Sequence, residues 1–276
     1  MTKLLNLGCG KRFHKDWVNL DFVSNNPSVS AHNLLNGIPF ENDAFDVVYH
    51  SHVLEHFNQV DGKKFIEECY RVLKPEGIIR IAVPDLEQIV RQYLKKLEES
   101  LQGNTQSQHD YNWIMLELFD QTVRNSSGGE MAKYLFQDRI PNEKYVIERL
   151  GQEAQDLRDH YFNAKKNPPT ISNVKASPLR FLSFNYYMNK LKKPKHDEKE
   201  MAAIKIGNFR LGGEIHQWMY DRFSLQRLLS TIGFNSFEVK SVTSSNIPNW
   251  LNYELETKNG VVFKPDSLFV EAKKNL

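Results

Sequence analysis

Two hydrophobic spacings alternate through the first 84 residues. Leu4-Leu5-Asn6-Leu7 runs into Gly8-Cys9-Gly10, and Trp17-Val18-Asn19-Leu20 stops on Asp21. Short apolar runs bounded by turn residues or charge read as strands buried on both faces, the habit of a parallel sheet. Asn25 to Ser30, with Pro27, reads as loop, Ala31 to Leu35 as a short third strand or its end, and Pro39 to Asp43 as a turn. Ala44 to Tyr49 reads as a fourth strand and Ile78 to Val83 as a fifth, ended by Pro84. Between these two, Phe65, Ile66, Cys69, Val72 and Leu73 recur at helical spacing. Lys74-Pro75-Glu76-Gly77 has proline second and glycine fourth, a pattern that favours a type I turn. The alternation predicts an α/β fold, a mostly parallel sheet with helices on both faces. The first crossover is the exception. Lys11 to Asp16 is shorter than the dozen or so residues a parallel connection usually takes, so a shortened helix or a loop is expected there.

After Pro84 the rhythm becomes helical. Asp85 with Gln88 suits a capping box, and Leu86, Ile89, Val90, Tyr93, Leu94 and Leu97 form one stripe. Tyr111, Ile114, Met115, Leu118 and Phe119 form a second, beyond a polar loop from Gly103 to Gln108. Helices are also expected near 130–137, over 142–163 and over 178–191, with Pro168-Pro169 between the last two. Residues 85–205 therefore read as a helical insertion packed as a lid over the sheet. The flanking 1–84 and 206–276 would form one core. There, Phe223, Leu225, Leu228 and Leu229 mark a helix closed by Gly233, followed by strands from Phe234 to Ser241 and from Ser267 to Ala272.

Composition narrows the classes. A net charge of +2 over 276 residues gives no mandate for nucleic acid, whose binders usually carry a basic face. Two cysteines, Cys9 and Cys69, make no disulfide framework. Asn6 and Gly8 break the apolar run after Lys3, so no secretory leader is expected, and no stretch approaches the ~20 apolar residues of a membrane span. A cytoplasmic chain with no membrane partner is the expectation.

Asn6-Leu7-Gly8-Cys9-Gly10, Asn19-Leu20-Asp21, Pro39-Phe40, Phe45-Asp46-Val47-Val48, His52-Val53-Leu54-Glu55-His56 and Glu68 to Gly77 appear in that order. Together they resemble the class I S-adenosylmethionine-dependent methyltransferases, in particular a bacterial, type 11-like group with Leu-Asn-Leu-Gly-Cys-Gly at its first motif. The resemblance implies a Rossmann-like sheet whose last strand runs antiparallel, with a helical insertion after strand five. It implies S-adenosyl-L-methionine as cofactor and S-adenosyl-L-homocysteine as product. It places Asn6 and the backbone of Gly8, Cys9 and Gly10 under the methionine moiety, and Asp21 on the ribose hydroxyls. Asn33, where the family usually has aspartate, would read the adenine beside Leu34, and His50 and Ser51 would line the sulfonium. A nicotinamide fingerprint wants a third glycine where this chain has Phe13.

The residues that would serve the acceptor are read from chemistry. A hydroxyl is a poor nucleophile until it loses its proton, so a base within reach is sought. His52 and His56 would share a helix face, with Glu55 pointing elsewhere. Two imidazoles four apart also suit zinc, but no third ligand is evident, so no metal is assigned. Behind Gly212-Gly213, His216 with an ordinary pKa near ~6.5 could take the proton and Glu214 orient it. Trp218 and Tyr220 would face the substrate. Glu117, Asp120, Gln121 and Arg124 form a polar helical stripe, either solvated or lining an acceptor pocket. Lys192-Lys193-Pro194-Lys195 reads as a solvated loop. The expected activity is methyl transfer to a small-molecule or saccharide-type acceptor, with O-methylation preferred. The rivals are an RNA or protein methyltransferase and a catalytically silent cofactor-binding protein.

Overall fold

A computed structural model describes residues 2–24, 26–166 and 197–276. The expected Pro168-Pro169 break, the 178–191 helix and the Lys192–Lys195 run lie outside the described residues. Strands β1 (Leu4–Leu7), β2 (Val18–Asp21), β3 (Val29–Ala31), β4 (Phe45–Ser51) and β5 (Leu73–Pro84) are joined by β6 (Phe234–Lys240) and β9 (Ser267–Lys274). They make a seven-stranded sheet in the order β3-β2-β1-β4-β5-β9-β6. All neighbouring pairs from β3 through β5 are parallel, and β9 runs antiparallel to both β5 and β6. β7 (Thr257–Lys258) and β8 (Val261–Val262) form a separate small hairpin that the residue pattern had not suggested.

Strand parity divides the core. Leu5, Leu7, Val48, Ile79 and Ile81 face helix α1 (Gln59–Val72) and helix α8 (Arg222–Ile232), where Phe65, Ile66, Leu225 and Leu229 are buried. Leu4, Val47 and Tyr49 point the other way, onto Trp17, Ile247, Trp250 and Leu255. This second face departs from the expected double layer of helices. The first crossover is a loop, and the Trp250–Tyr253 3-10 turn with its flanking coil covers the strands a crossover helix would have covered. Burial alone tells Tyr49 and His50 apart only by which face each meets.

Three boundaries also move. The third strand is Val29–Ala31, and Leu34–Asn36 is a 3-10 turn capped by Asn33 rather than strand. Glu76 takes φ +62° as third residue of the Lys74–Gly77 turn, which fits type II geometry and not type I. A Cβ on Gly77 would stand 2.7 Å from the Lys74 carbonyl oxygen, so close backbone approach requires glycine there.

The helical region holds α2 (Leu86–Leu101), α3 (Thr105–Val123), α4 (Gly129–Leu135), α5 (Glu143–Leu150), α6 (Gln152–Lys166) and α7 (Glu198–Arg210). Its own small core gathers Trp113, Leu135, Ile140, Val146 and Ala154. An ion pair ties it to the sheet, Arg12 Nη2 to Glu153 Oε2 at 2.7 Å, with the guanidinium lying over Phe263. No described helix is long and apolar enough to cross a membrane.

Candidate active site

The order places a topological switch at β1: the chain leaves it for β2 and β3 on one side and returns to β4 on the other. Crevices at such points, outside the carboxyl ends of the strands, are where open α/β sheets bind ligands. β1 ends there on Gly8, whose φ of +63° a side-chain-bearing residue adopts only with strain. A Cβ on Gly8 would also overlap Val53 Cγ2, so the loop lies directly against the segment after β4. Cys9 N–H donates to the Leu20 carbonyl at 3.1 Å, and Gly10 N–H donates to Asp21 Oδ2. The turn and the acid closing β2 are thus one hydrogen-bonded unit. Asn6 Nδ2 donates to the Arg12 carbonyl at 3.0 Å and to Asn19 Oδ1 at 3.2 Å, which fixes the loop's far end. Burial, then the charge of Asp21, pushes the Cys9 thiol up to about 12, so it is no nucleophile at neutral pH.

Around Asp21 the surface is apolar. Phe22, Val23 and Leu35 are 71, 56 and 62 % exposed at the ends of neighbouring strands β2 and β3. Leu34 instead packs against the main core, so Leu35 is the side chain open to a ring. Asn33 Oδ1 accepts from Leu35 N–H at 3.0 Å, so capping the turn uses the carbonyl expected to read a base. His50 departs from its expected role. Its parity directs it to the face of Val48, where it is fully buried with its ring edge-on to Phe65 and neither ring nitrogen bonded. Burial, opposed by Glu55, pushes its pKa down to about 3. Ser51, half-buried at the strand end, stays at the edge.

The segment beyond β4 is not the helix expected. His52 sits at φ +54°, and Leu54–His56 is a single 3-10 turn. Even so, it brings both imidazoles to Glu55, the carboxylate that was expected to point elsewhere. Glu55 is fully buried; His52 Nδ1 lies 3.0 Å from its Oε1, yet neither carboxylate oxygen receives a well-directed hydrogen bond. His52 Nε2 is 2.8 Å from Ser267 Oγ. The Gly212-Gly213 strand of chain folds onto this turn: Gln217 N–H donates to the Glu55 carbonyl at 2.8 Å and His216 N–H to that of Gln121 at 2.9 Å. The His56 and His216 rings then stand edge to face, 4.9 Å apart. His56 Nδ1 is 3.2 Å from the Ile215 carbonyl, which only accepts, so the proton is on Nδ1 and the lone pair on Nε2.

The electrostatics follow from enclosure. Burial raises the pKa of Glu55, but the close His52 ring at 3.0 Å and the further imidazoles of His216 and His56 outweigh it and hold the carboxyl well below the usual range. Burial pushes His216 down to about 3, against Glu55. His216 is therefore neutral at pH 7 and too weak a base for the role expected from an ordinary histidine. His52 is likewise lowered, by burial first and then by Lys264, with Glu55 opposing. One atom each from Glu55, His56 and His216 lie within 4.8 Å of one another, a donor set that suits a metal ion.

Other expected site residues are engaged elsewhere. Glu214 Oε1 accepts from Gly128 N–H at 2.8 Å and pairs with Arg124 Nη1 at 3.1 Å, so it does not orient His216. Asp120 is buried, and its carboxylate accepts from Glu130 N–H at 2.8 Å at the start of α4. Arg124 is spent on Glu214 and Gln121. Glu117 pairs with Arg149, so this stripe is neither solvated nor a pocket wall but a largely buried network that joins the insertion to Glu214. Tyr220 is a core residue whose carbonyl accepts from Leu86 N–H. Trp218, 41 % exposed beside the His56 turn, still faces outward.

Residues 20–81 match the family model described as "Methyltransferase domain". Over this stretch the chain is similar to a methyltransferase domain. The matched stretch runs from the end of β2, through the Glu55 turn, into β5, and the cofactor it implies is S-adenosylmethionine. The residues fit that group: an acid tied to the first-motif turn at the switch point, beside an exposed apolar shelf for a purine. No curated protein matches the chain. Among solved structures, the [4+2]-cyclase SpnF aligns at 21 % identity over 29 % of this chain and 38 % of its own, with TM-score 0.25. A SAM-dependent methyltransferase from Archaeoglobus fulgidus aligns at 12 % identity over 99 % of this chain and 86 % of its own, with TM-score 0.37. A SAM-dependent methyltransferase from Thermotoga maritima, described as a possible histamine N-methyltransferase, aligns at 10 % over 100 % and 83 %, with TM-score 0.39. Likenesses this loose say nothing of the acceptor.

Proposed function

We propose that the chain moves a methyl group from S-adenosylmethionine to a hydroxyl of a small-molecule or saccharide-type acceptor. The observation that carries this reading is the pairing of the Asp21–Gly10 unit with the imidazole cluster across Val53. In this reading a nucleoside grip and a proton-handling group stand on either side of Val53, which the Gly8 turn touches. Asp21 would accept from ribose hydroxyls, Phe22, Val23 and Leu35 would cover the base, and the backbone of Gly8 to Gly10 would underlie the amino-acid end. When bound, the cofactor supplies a methyl activated by sulfonium. The chain must place the acceptor in line with it and deal with the acceptor's proton. His56, half-buried with its lone pair on Nε2, is the residue for that task, in place of the His216–Glu214 pair. Trp218 would wall the acceptor side. Residues 85–205 would act as the lid, with 1–84 and 206–276 as the core, and the Arg12–Glu153 pair would latch the two.

The test is transfer of labelled methyl from S-adenosylmethionine to pools of hydroxylated small molecules, saccharides, RNA and protein. Label in the first two pools supports the reading. Label only in RNA or protein, or none in any pool, overturns it. His56→Ala should cut turnover at least 10-fold while cofactor affinity stays within about 3-fold; equal losses would make His56 a packing residue.

A further inference from the structure

The Glu55 cluster holds more ligating power than proton handling needs. We propose that Glu55, His56 and His216 bind one divalent transition-metal ion at the acceptor side of the crevice. Three observations carry this. The three donors lie within 4.8 Å of one another, so small rotations bring them onto one centre. Neither Glu55 oxygen receives a well-directed hydrogen bond, although His52 Nδ1 stands 3.0 Å from Oε1, and His216 Nδ1 is buried without a hydrogen-bond partner; native interiors rarely leave such groups so poorly matched. The outer contacts are those that metal-binding side chains make: His56 Nδ1–H is held by the Ile215 carbonyl, and His52, anchored to Ser267 Oγ, stands beside the Glu55 carboxylate.

Two imidazoles and a carboxylate suit zinc, cobalt, iron or manganese better than the all-oxygen shells of calcium or magnesium. Three protein ligands leave a position open, as in catalytic rather than structural zinc sites. This inference rests on the methyl-transfer reading only for what fills that position: an oxygen of the acceptor, which coordination would acidify. With the ion bound, the lone pairs of His56 and His216 serve it, the base role of His56 belongs to the ion-free protein, and the proton of the acidified acceptor passes to solvent water.

Tag-free protein, stripped with a chelator and titrated with Zn²⁺ by calorimetry, should bind one ion per chain at micromolar Kd or tighter. Co²⁺ should give the visible absorption of a low-coordinate nitrogen–oxygen site. Glu55→Gln, which keeps shape, and His216→Ala should each weaken Zn²⁺ binding at least 100-fold. His52→Ala should weaken it by about 10- to 100-fold through loss of orientation. Circular dichroism and S-adenosylhomocysteine affinity, each unchanged in Glu55→Gln, separate loss of the ion from loss of the fold. No stoichiometric Zn²⁺ binding by the wild type, or binding undiminished in Glu55→Gln, overturns the site. Zn²⁺ binding without S-adenosylhomocysteine binding would leave the ion site standing and remove the methyl-transfer reading instead.

Discussion

Two of the groups of charged side chains buried among the described residues are built on opposite terms. On the Trp250 face, Arg80 of β5 is fully enclosed. It donates to Glu271 Oε1 at 2.8 Å, to Glu256 Oε2 at 2.6 Å and to the carbonyl of Ser244 at 2.9 Å, with its plane over the Trp250 ring. Ser245 and the Asn246 N–H satisfy Glu271 further. At the carboxyl edge, Glu55 is as deeply buried, yet its oxygens find no well-directed donor. Burial of charge is costly in both places, and only the first meets it with a set of well-directed hydrogen bonds. The Arg80 network reads as architecture joining β5, β9 and the 241–256 coil. The Glu55 cluster reads as a site kept ready for something the fold does not supply.

The largest effect should come from Arg80→Met, which leaves two buried carboxylates without their cation. It should cost about 3–5 kcal/mol in urea unfolding. A cost under about 1 kcal/mol would mean the network is not architectural. Next is pH, where the two groups should slope in opposite senses. Burial, with Glu271 adding and Arg80 opposing, raises Glu256 from 4.5 to about 7, so its contribution is full below about pH 4.5 and is lost as pH rises through 7. His50 and His216, lowered from 6.5 to about 3, contribute fully above about pH 6.5 and lose that contribution as pH falls toward 3. Unfolding followed across pH 3–8 should show Glu256→Gln flattening the neutral side alone and His216→Gln reducing the acid side alone. A single variant that flattens both would merge the clusters. The smallest effect is the most diagnostic: Glu55→Gln in metal-free protein should cost about 1–2 kcal/mol, because the pull of the imidazoles is lost but no well-directed hydrogen bond is. A loss approaching that of Arg80→Met would make Glu55 architectural as well.

Much of the sheet was legible because parallel strands advertise themselves. Leu4–Leu7 and Phe45–Tyr49 are apolar on both faces, and Asp21 stops the second run where the crevice opens. His50 was misjudged by its place at a strand end, although counting alternate positions from Val48 sends it to the α1 face. Glu55 was misjudged for a different reason. Glu55 was set apart from both histidines although at i and i+3 it neighbours His52 even on a helix, and a left-handed His52 with a 3-10 turn brings all three together. Its meeting with His216 depends on backbone bonds across some 160 positions of chain, Gln217 to Glu55 among them, which local spacing does not encode. Asp120 and Arg124 show the reverse failure. A polar stripe at helical spacing was weighed against solvent or substrate, when its partners were the start of α4 for Asp120 and Glu214, beyond the insertion, for Arg124.

The central claim is that the crevice between β1 and β4 holds an S-adenosyl nucleoside through Asp21. Calorimetric titration of the wild type and of Asp21→Ala with S-adenosylhomocysteine tests it most directly. The account predicts one site per chain in the wild type and about 10- to 100-fold weaker binding in the variant, the loss of charge-assisted hydrogen bonds. No binding by the wild type, or equal binding by the two, would contradict it.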